Sequence, residues 1–329
     1  MEQSHPKVSV IIPIYGVEKY IERCAISLFE QTLEDIEFIF VDDCTPDRSM
    51  EILNLVIEKY RHRLSEEKKN VRIERMPVNS GLPAVRRYGL QIAMGDYVIH
   101  CDSDDWVDTN MYRAMYERAV EDDADVVVCD FIETDGIHRE WDKRNIGCHN
   151  VDNMMFLENI FYHRDSPSVW NKMFKKSVYS TGIFFPNRFM AEDLTVTAQL
   201  LWSCNRISYV PQVLYYYYIN PLSASHIQSK EACIRRFEES VENIKNVNAF
   251  YRDKTLSKRF KAGLIAMKEY ERSRILPLIK ERMYYKKWKA AFPENNRQIL
   301  WNKYVSLKRK YIFLLILLHL YPIYVNRKN

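Results

Sequence analysis

Residues 95–106 read GDYVIHCDSDDW. An apolar strand, Tyr97 to Cys101, runs straight into three acids, Asp102, Asp104 and Asp105. Asp and Ser suit turns, so a solvated turn is one account of this ending. Three carboxylates this close repel one another, however, unless a cation or several hydrogen-bond donors sit among them. Mg²⁺ and Mn²⁺ take oxygen ligands, and Mg²⁺ is commonly held by one or two carboxylates plus substrate phosphates. Asp102-Ser103-Asp104 at the carboxyl end of a buried strand is therefore a candidate metal–diphosphate site, with the solvated turn as its alternative.

Outward from this stretch the first half of the chain alternates regularly. Val8–Ile14 is a continuous apolar run, the mark of a strand covered on both faces. Tyr20, Ile21, Cys24 and Leu28 then mark one face of a helix over Val17–Gln31. Ile36–Val41 predicts a second strand ending in Asp42-Asp43, and Pro46 is expected to open a helix. A strand over Val71–Met76, a helix over Ala84–Met94, the Tyr97–Cys101 strand, a helix over Asn110–Val120 and a strand over Asp125–Phe131 follow. Alternating βαβα with apolar strands indicates an open, mostly parallel α/β sheet. Ligands of such sheets bind beyond the carboxyl ends of the strands. That rule brings Pro13–Tyr15, Asp42-Asp43, Asn79-Ser80-Gly81 and Asp102-Ser103-Asp104 to one rim.

From 132 to 220 the pattern is irregular. Residues 165–172 (DSPSVWNK) read as a loop, and 190–202 as a helix starting near Glu192-Asp193. Acids in a first helical turn complement the helix dipole, which is their structural explanation. Residues 213–219 (VLYYYYI) are aromatic and β-prone and lead to a polar loop ending at Ser225-His226.

Charge divides the chain. Residues 251–310 carry 18 Lys/Arg against 5 Asp/Glu, a balance of +13, whereas residues 1–250 carry 28 against 39, a balance of −11. After about residue 230 the chain reads as basic, aromatic helix. Residues 311–325 (YIFLLILLHLYPIYV) are apolar but broken by Pro322, too few for the roughly 20 residues that span a bilayer. With Lys and Arg on both sides, the segment is expected to lie in a membrane interface; a helix packed on its own domain is the alternative. Met1–Lys7 is polar, which predicts no secretory leader, and seven cysteines without paired spacing predict reduced thiols in a cytosolic setting.

These segments together resemble family 2 glycosyltransferases with a GT-A fold, the branch that builds bacterial capsule, exopolysaccharide and lipopolysaccharide sugars. The resemblance rests on VSVIIPIYGVEKYIERCAISLFEQT (8–32), EFIFVDDCTPDRS (37–49), NSGLPAVRRYG (79–89), GDYVIHCDSDDW (95–106), WNKMFKKS (170–177), Ala191-Glu192-Asp193 and YYYYINPLSASH (215–226). It covers roughly residues 7–230, in order and spacing. It implies an α/β fold of GT-A (Rossmann-like) type, with a mixed, mostly parallel sheet flanked by helices. That makes residues 1–230 the catalytic domain and 231–329 a mainly helical basic extension. Three departures border the nucleotide pocket: Gly16 where the family usually has Asn, Cys44 where it has Gly, and Val85-Arg86-Arg87 where it has Ala-Arg-Asn.

The resemblance also assigns roles. Asp104 becomes the Mg²⁺ or Mn²⁺ ligand facing the donor diphosphate, and Asp102 a ligand to ribose or to a metal-bound water. His226 joins the metal or the diphosphate, or is a lone surface histidine. Pro13, Tyr15, Glu18, Asp42 and Arg86 surround the nucleotide: a carboxylate accepts the uracil N3–H, an aromatic ring covers the base, and the arginine stands near the phosphates. Asp43 serves the turn, and Trp170, Asn171 and Lys172 shape the acceptor side or belong to the core. Asp193 is the general base of an inverting transfer, with Glu192 supporting it.

The function implied is a metal-dependent inverting transfer from a nucleotide sugar, UDP-linked by expectation, to a growing surface polysaccharide or lipid-linked glycan. It would take place in the cytoplasm at the inner face of the cell membrane. A sugar nucleotidyltransferase is the alternative, but it calls for a glycine-rich phosphate loop after the first strand, where PIYGVEKY has one glycine. A non-catalytic membrane-tethered or nucleic-acid-binding protein is the third reading. The basic region holds no recognisable base-reading module, so nucleic acid is not an expected partner.

Overall fold

All seven residues of β1 (Val8–Ile14) and all seven of β2 (Ile36–Asp42) are buried, so these apolar runs form the centre of a covered sheet. The computed structural model describes residues 5–137, 143–145, 152–220 and 229–322. Between and after those two strands come α1 (Ile21–Phe29), α2 (Ser49–Glu66), β3 (Lys69–Arg75), α3 (Leu82–Ile92), β4 (Tyr97–His100), β5 (Trp106–Val107), α4 (Met111–Glu121) and β6 (Val126–Thr134). Then follow β7 (Lys143–Asn145), α5 (Asn153–Phe161), β8 (Lys172–Lys175), α6 (Glu192–Ser203) and β9 (Ile207–Tyr218). The strands are ordered β3-β2-β1-β4-β8-β6-β9-β5, with β7 beside β6. The β1–β2, β2–β3, β1–β4 and β6–β9 pairs are parallel; β8, β5 and β7 run against their neighbours. The expected mixed, mostly parallel sheet flanked by helices is what the chain forms.

Register places the site. Ile14 pairs with Asp42 and Ile11 with His100, so the ends of β1, β2 and β4 open on one rim. β9 carries a bulge: Cys129 pairs with Val210 and Asp130 with Val213, leaving Pro211 and Gln212 outside the ladder. Proline donates nothing to a ladder, so it falls where the ladder is interrupted.

The C-terminal region forms α7 (Lys230–Phe250), α8 (Lys258–Arg272), α9 (Arg282–Ala290), α10 (Asn295–Gln298) and α11 (Leu307–Leu317). Ser229, Ser257 and Ser306 cap α7, α8 and α11 by accepting from backbone N–H groups of the first turn. These helices share a core with the sheet. Along β6, Val127 and Cys129 face the α1–α2–α4 side, while Val126 and Val128 face a second core holding Phe161, Phe237, Trp288 and Phe313. Strand alternation thus lets one strand serve two layers.

Three of the differences between the sequence expectations and the structure have a clear physical reason. The second helix begins at Ser49, not Pro46, because Asp47 Oδ1 accepts from both Ser49 N–H (3.1 Å) and the Ser49 hydroxyl (2.5 Å) and closes the preceding turn. Lys172, the end of the expected loop, opens β8, a four-residue strand with lysine at both ends and only two apolar residues, too short for a periodic signal. α5 is buried over six consecutive residues and so lacks the polar stripe that marks a surface helix.

α3 lies close against β1. A Cβ built on Gly89 falls 2.5 Å from Ile11 Cγ2, inside van der Waals contact. Gly89→Ala is expected to destabilise the protein by about 1–3 kcal/mol in denaturant unfolding, the usual cost of overpacking; an unchanged midpoint would show that Ile11 yields without cost.

Candidate active site

A cleft of about 620 Å³ opens above the β1, β2 and β4 ends, lined by Tyr15, Asp43, Asp102 and Asp104 among others, and by Phe189 and Asn220 opposite. Its first wall depends on left-handed backbone. Gly16 has φ +69°, and its N–H donates to Thr45 Oγ1 at 2.9 Å. Glycine and asparagine are the residues that adopt this region readily, which explains how Gly16 replaces the expected Asn. Cys44 also has φ +58°, where the expected glycine would be unstrained; its thiol donates to Met76 O at 3.2 Å.

Beneath the cleft lies a charged cluster built from three segments. Arg86, on α3 and only 2% exposed, donates through NH2 to Asp102 Oδ1 at 2.6 Å. Through NH1 it donates to Glu192 Oε2 and Asp193 Oδ1, each at 2.5 Å. One guanidinium therefore joins the strand-end acid to the acid pair that opens α6. Burial works against the Arg86 charge, but Glu192, Asp102 and Asp193 outweigh it and hold the group cationic. Burial pushes the Glu192 carboxyl well above its ordinary range, and Asp193 adds to this despite Arg86. Burial also opposes the Asp193 charge, yet Arg86 and the Glu192 hydrogen bond prevail, and its pKa is lowered. The surroundings thus favour the charge on Asp193 over that on Glu192. The Asp193 side chain is 28% exposed, whereas Glu192 is 3% exposed. His100 lies in the same interior; burial and then Arg86 lower its pKa to about 3, so it is neutral.

Ala191, just before the pair, has φ +60°, a strained position for a residue with a Cβ. The turn is held from the C-terminal region: Asn243 Nδ2, on α7, donates to Arg188 O at 2.8 Å and to Met190 O at 2.7 Å. Glu239 accepts from Met190 N–H at 3.2 Å.

Asp104 accepts from Asn220 Nδ2 at 3.2 Å. Burial and then Asp102 raise its pKa; burial, with a contribution from Asp193, raises that of Asp102 despite Arg86. Among the described residues no group of three His, Cys, Asp or Glu side chains forms a metal cage. Two acids whose charge is opposed by burial, Asp102 and Asp104, nonetheless fit an octahedral divalent ion that draws its remaining ligands from water and a diphosphate. Asp105 does not face the cleft: it is fully buried, accepting from Tyr215 OH at 2.6 Å and from Tyr218 N–H at 2.7 Å. Tyr215 OH in turn accepts from Asp102 N–H at 3.1 Å, so β9 braces the acidic turn.

Of the residues expected around the nucleotide, Pro13, Tyr15, Glu18 and Asp102 line the cleft, as does the expected metal ligand Asp104. Tyr15 is 53% exposed, its ring uncommitted to the core. Two expected residues are placed elsewhere. Arg86 is sequestered by three carboxylates and does not line the cleft. Asp42 is buried, with Oδ1 accepting from Thr45 N–H at 2.7 Å and Arg75 Nε 3.5 Å from Oδ2; its neighbour Asp43 lines the cleft instead and accepts from Ser80 and Gly81 N–H groups. Trp170, Asn171 and Lys172 belong to the interior: Trp170 stacks on Tyr215 with ring centroids 4.2 Å apart, and Lys172 donates to Ser166 O and Ser168 O. His226 lies outside the described residues. Asn220, Arg23 (which donates to Asp104 O at 3.0 Å) and Tyr215 fall in segments that carry the family resemblance but were assigned no role in the site.

Comparison with known proteins agrees with this geometry. Residues 9–191 match the model of glycosyl transferase family 2. The chain belongs to that family. It is 31% identical over 234 residues to the uncharacterized glycosyltransferase EpsJ of Bacillus subtilis (strain 168), covering 69% of this chain and 65% of that protein. It is 29% identical over 216 residues to the poly(ribitol-phosphate) beta-N-acetylglucosaminyltransferase TarS of Staphylococcus aureus (strain Mu50 / ATCC 700699), covering 64% of this chain and 35% of that protein. The chain spans from 32% to 65% of the length of curated relatives such as these. Its fold is like that of S. aureus TarS 1–349 crystallised with UDP, with TM-score 0.69 and 21% identity over 96% of this chain and 88% of that one. The mannosyltransferase PcManGT of Pyrobaculum calidifontis, in complex with GDP-Man and Mn²⁺, has TM-score 0.57 and 15% identity over 91% of this chain and 88% of that one. The GT-A fold expected for the family 2 chain is borne out.

Two measurements test the charged cluster. Arg86→Met leaves three carboxylates without their cation and is expected to cost about 3–5 kcal/mol at neutral pH, with the penalty shrinking as acid protonates them; a penalty independent of pH would contradict the assignment. Glu192→Gln mimics the protonated acid. A carboxyl whose folded pKa is raised binds more protons when folded, so wild-type stability falls as pH climbs from the ordinary value of 4.5 towards the folded value. The melting temperature of Glu192→Gln should therefore gain on wild type across that interval, and a constant difference would place the proton elsewhere.

Proposed function

We propose that this protein transfers a sugar, with inversion, from a nucleotide-sugar donor to a hydroxyl of a surface-polysaccharide or lipid-linked glycan acceptor. The observation that carries the reading is the single guanidinium of Arg86, which ties Asp102, at the diphosphate end of the cleft, to Asp193. The two ends of a displacement, leaving group and nucleophile, are thereby held in one rigid frame. A UDP-linked donor is supported by TarS, whose structures include complexes with UDP and UDP-GlcNAc.

In this mechanism the nucleoside and diphosphate lie along the Tyr15–Asp43–Asp102 wall. Asp193, ionised, accepts the acceptor hydroxyl proton while that oxygen forms its bond to the anomeric carbon, and the bond from that carbon to the diphosphate breaks on the opposite face. The nucleoside diphosphate departs with the electron pair, and no covalent enzyme intermediate forms. Glu192, protonated, donates to Asp193 and keeps it oriented; Arg86 positions both and is itself a positioning residue. Asp104 and Asp102 are the groups that would hold Mg²⁺ or Mn²⁺, which when bound neutralises charge on the leaving diphosphate. The Mn²⁺ of PcManGT lends support to this choice of ion.

The proposal includes work at the inner face of the cell membrane. No helix among the described residues is long and apolar enough to cross a membrane. A peripheral position suits an acceptor carried on a lipid.

Release of nucleoside diphosphate, measured over a panel of nucleotide sugars with Mg²⁺ or Mn²⁺, is expected to single out one donor. Asp104→Ala should abolish it, and Asp193→Asn should lower the rate by about 10²–10⁴-fold. Asp193→Asn at wild-type rate would remove Asp193 as the base. Failure of the folded protein to bind any nucleoside diphosphate by calorimetry would sink the transfer reading as a whole.

A further inference from the structure

Far from the cleft, the start of α11 borders a second cavity of about 440 Å³, lined by Arg164, Lys303, Arg309 and Lys310 together with Leu307 and His163. Among the described residues no acidic side chain lines it. The acids that act on Arg309, Glu269 and Glu271, are already engaged: Glu269 accepts from Arg272 Nε at 2.7 Å, and Glu271 from Arg274 Nε at 2.6 Å. None of the four cations makes an ion pair among the described residues, and Arg309 lies over the Tyr270 ring at 4.5 Å. A concentration of positive charge around a concave space, with no acid in its described wall, selects an anion.

Beside the cavity runs an apolar ridge. α11 buries Phe313 and Ile316 against the C-terminal core, so it is not a loose segment. Its opposite side presents Leu307, Tyr311, Leu314 and Leu318, which are 83%, 52%, 40% and 63% exposed. Their spacing of 4, 3 and 4 residues places them in one line along the helix. Leu307 belongs both to this line and to the cavity wall, so the apolar ridge and the cationic cavity meet at the start of α11, with Arg309 on the side of the helix that carries Phe313 and Ile316. Trp301, 87% exposed, stands just before the cavity-lining segment.

We propose that this face docks on an anionic lipid bilayer, with lipid phosphates drawn to the Arg164–Lys303–Arg309–Lys310 cavity and the Leu307–Leu318 ridge set among the acyl chains at the interface. The membrane setting rests on the functional reading above; the docking face rests on its own residues. An eleven-residue helix is about 16 Å long, half of what a hydrocarbon core requires, so α11 lies along the surface. The ridge supplies hydrophobic burial and the cations supply attraction to anionic headgroups, the pair of contributions that monotopic helices use. A second copy of the chain is the poorer occupant, because apposing two such faces would bring cation against cation with no acid between them.

The test is co-sedimentation of the full chain with vesicles of phosphatidylcholine alone or mixed with phosphatidylglycerol, at two salt concentrations. Wild type is expected to bind the mixed vesicles, weakly at high salt, and to leave neutral vesicles in solution. Lys303→Glu with Lys310→Glu should weaken binding by roughly 100-fold, and Leu314→Glu with Leu318→Glu by roughly ten-fold or more. The same charge reversals at Lys59 and Lys68, exposed around the end of α2, should leave it intact. All substitutions sit at surface positions, and melting curves confirm that each variant is folded. No binding, equal binding to both vesicles, or equal loss in the Lys59/Lys68 variant overturns the proposal. So does a wild-type dimer in sedimentation that Leu314→Glu dissociates. Because the assay needs neither donor nor turnover, its outcome is independent of whether the transferase reading survives.

Discussion

Arg86 is the constraint on which the active region depends. Asp102, Glu192 and Asp193 approach one another from segments some 90 residues apart, and only a buried cation makes that approach tolerable. Buried charges lose hydration that pairing recovers only when the geometry is accurate. The accuracy comes from the sheet. Parallel pairing of β1 with β4 sets the position of Asp102, and the absence of a side chain at Gly89 lets α3 lie close enough on β1 for Arg86 to reach below the rim.

The second half of the cluster is positioned from the opposite direction. Ala191 is held in left-handed backbone, a local cost that persists only where surrounding structure enforces it. Asn243 and Glu239, on the first helix of the basic region, grip the preceding carbonyls and N–H and provide that enforcement. The C-terminal helices therefore position the acid pair, while none of their described residues lines the cleft. On the other flank, the Asp105–Tyr215–Asp102 chain of hydrogen bonds fixes the acidic turn, with Trp170 stacked behind Tyr215. An acid that could be taken for a metal ligand is instead a brace.

The frame was legible because its signals are local. Val8–Ile14 and Ile36–Val41 are covered on both faces, so nearly every residue is apolar and the strands stand out from any window of the chain. Acids at strand ends, combined with the behaviour of open α/β sheets, were enough to assemble the rim. The family resemblance assigned Asp42 to the nucleotide and its neighbour to the turn; Asp43 does accept from the Ser80 and Gly81 N–H groups but also lines the cleft, whereas Asp42 turns to Thr45 and Arg75. Neighbouring residues at the end of a strand point to opposite sides, and pattern alone cannot select between two identical side chains. Asn220 and Tyr215 were assigned no role for another reason: each acts on an acid more than a hundred positions away.

What the sequence by itself determined is the alternation of elements, the parallel core and the gathering of acids at one rim, since hydrophobic periodicity and strand-end chemistry operate over a few residues. Tertiary structure alone decided on which acid charge is favoured, on which it is opposed and which faces solvent. Those properties follow from burial and from the distance to Arg86, and both are set only when α3, β4 and α6 close on one another.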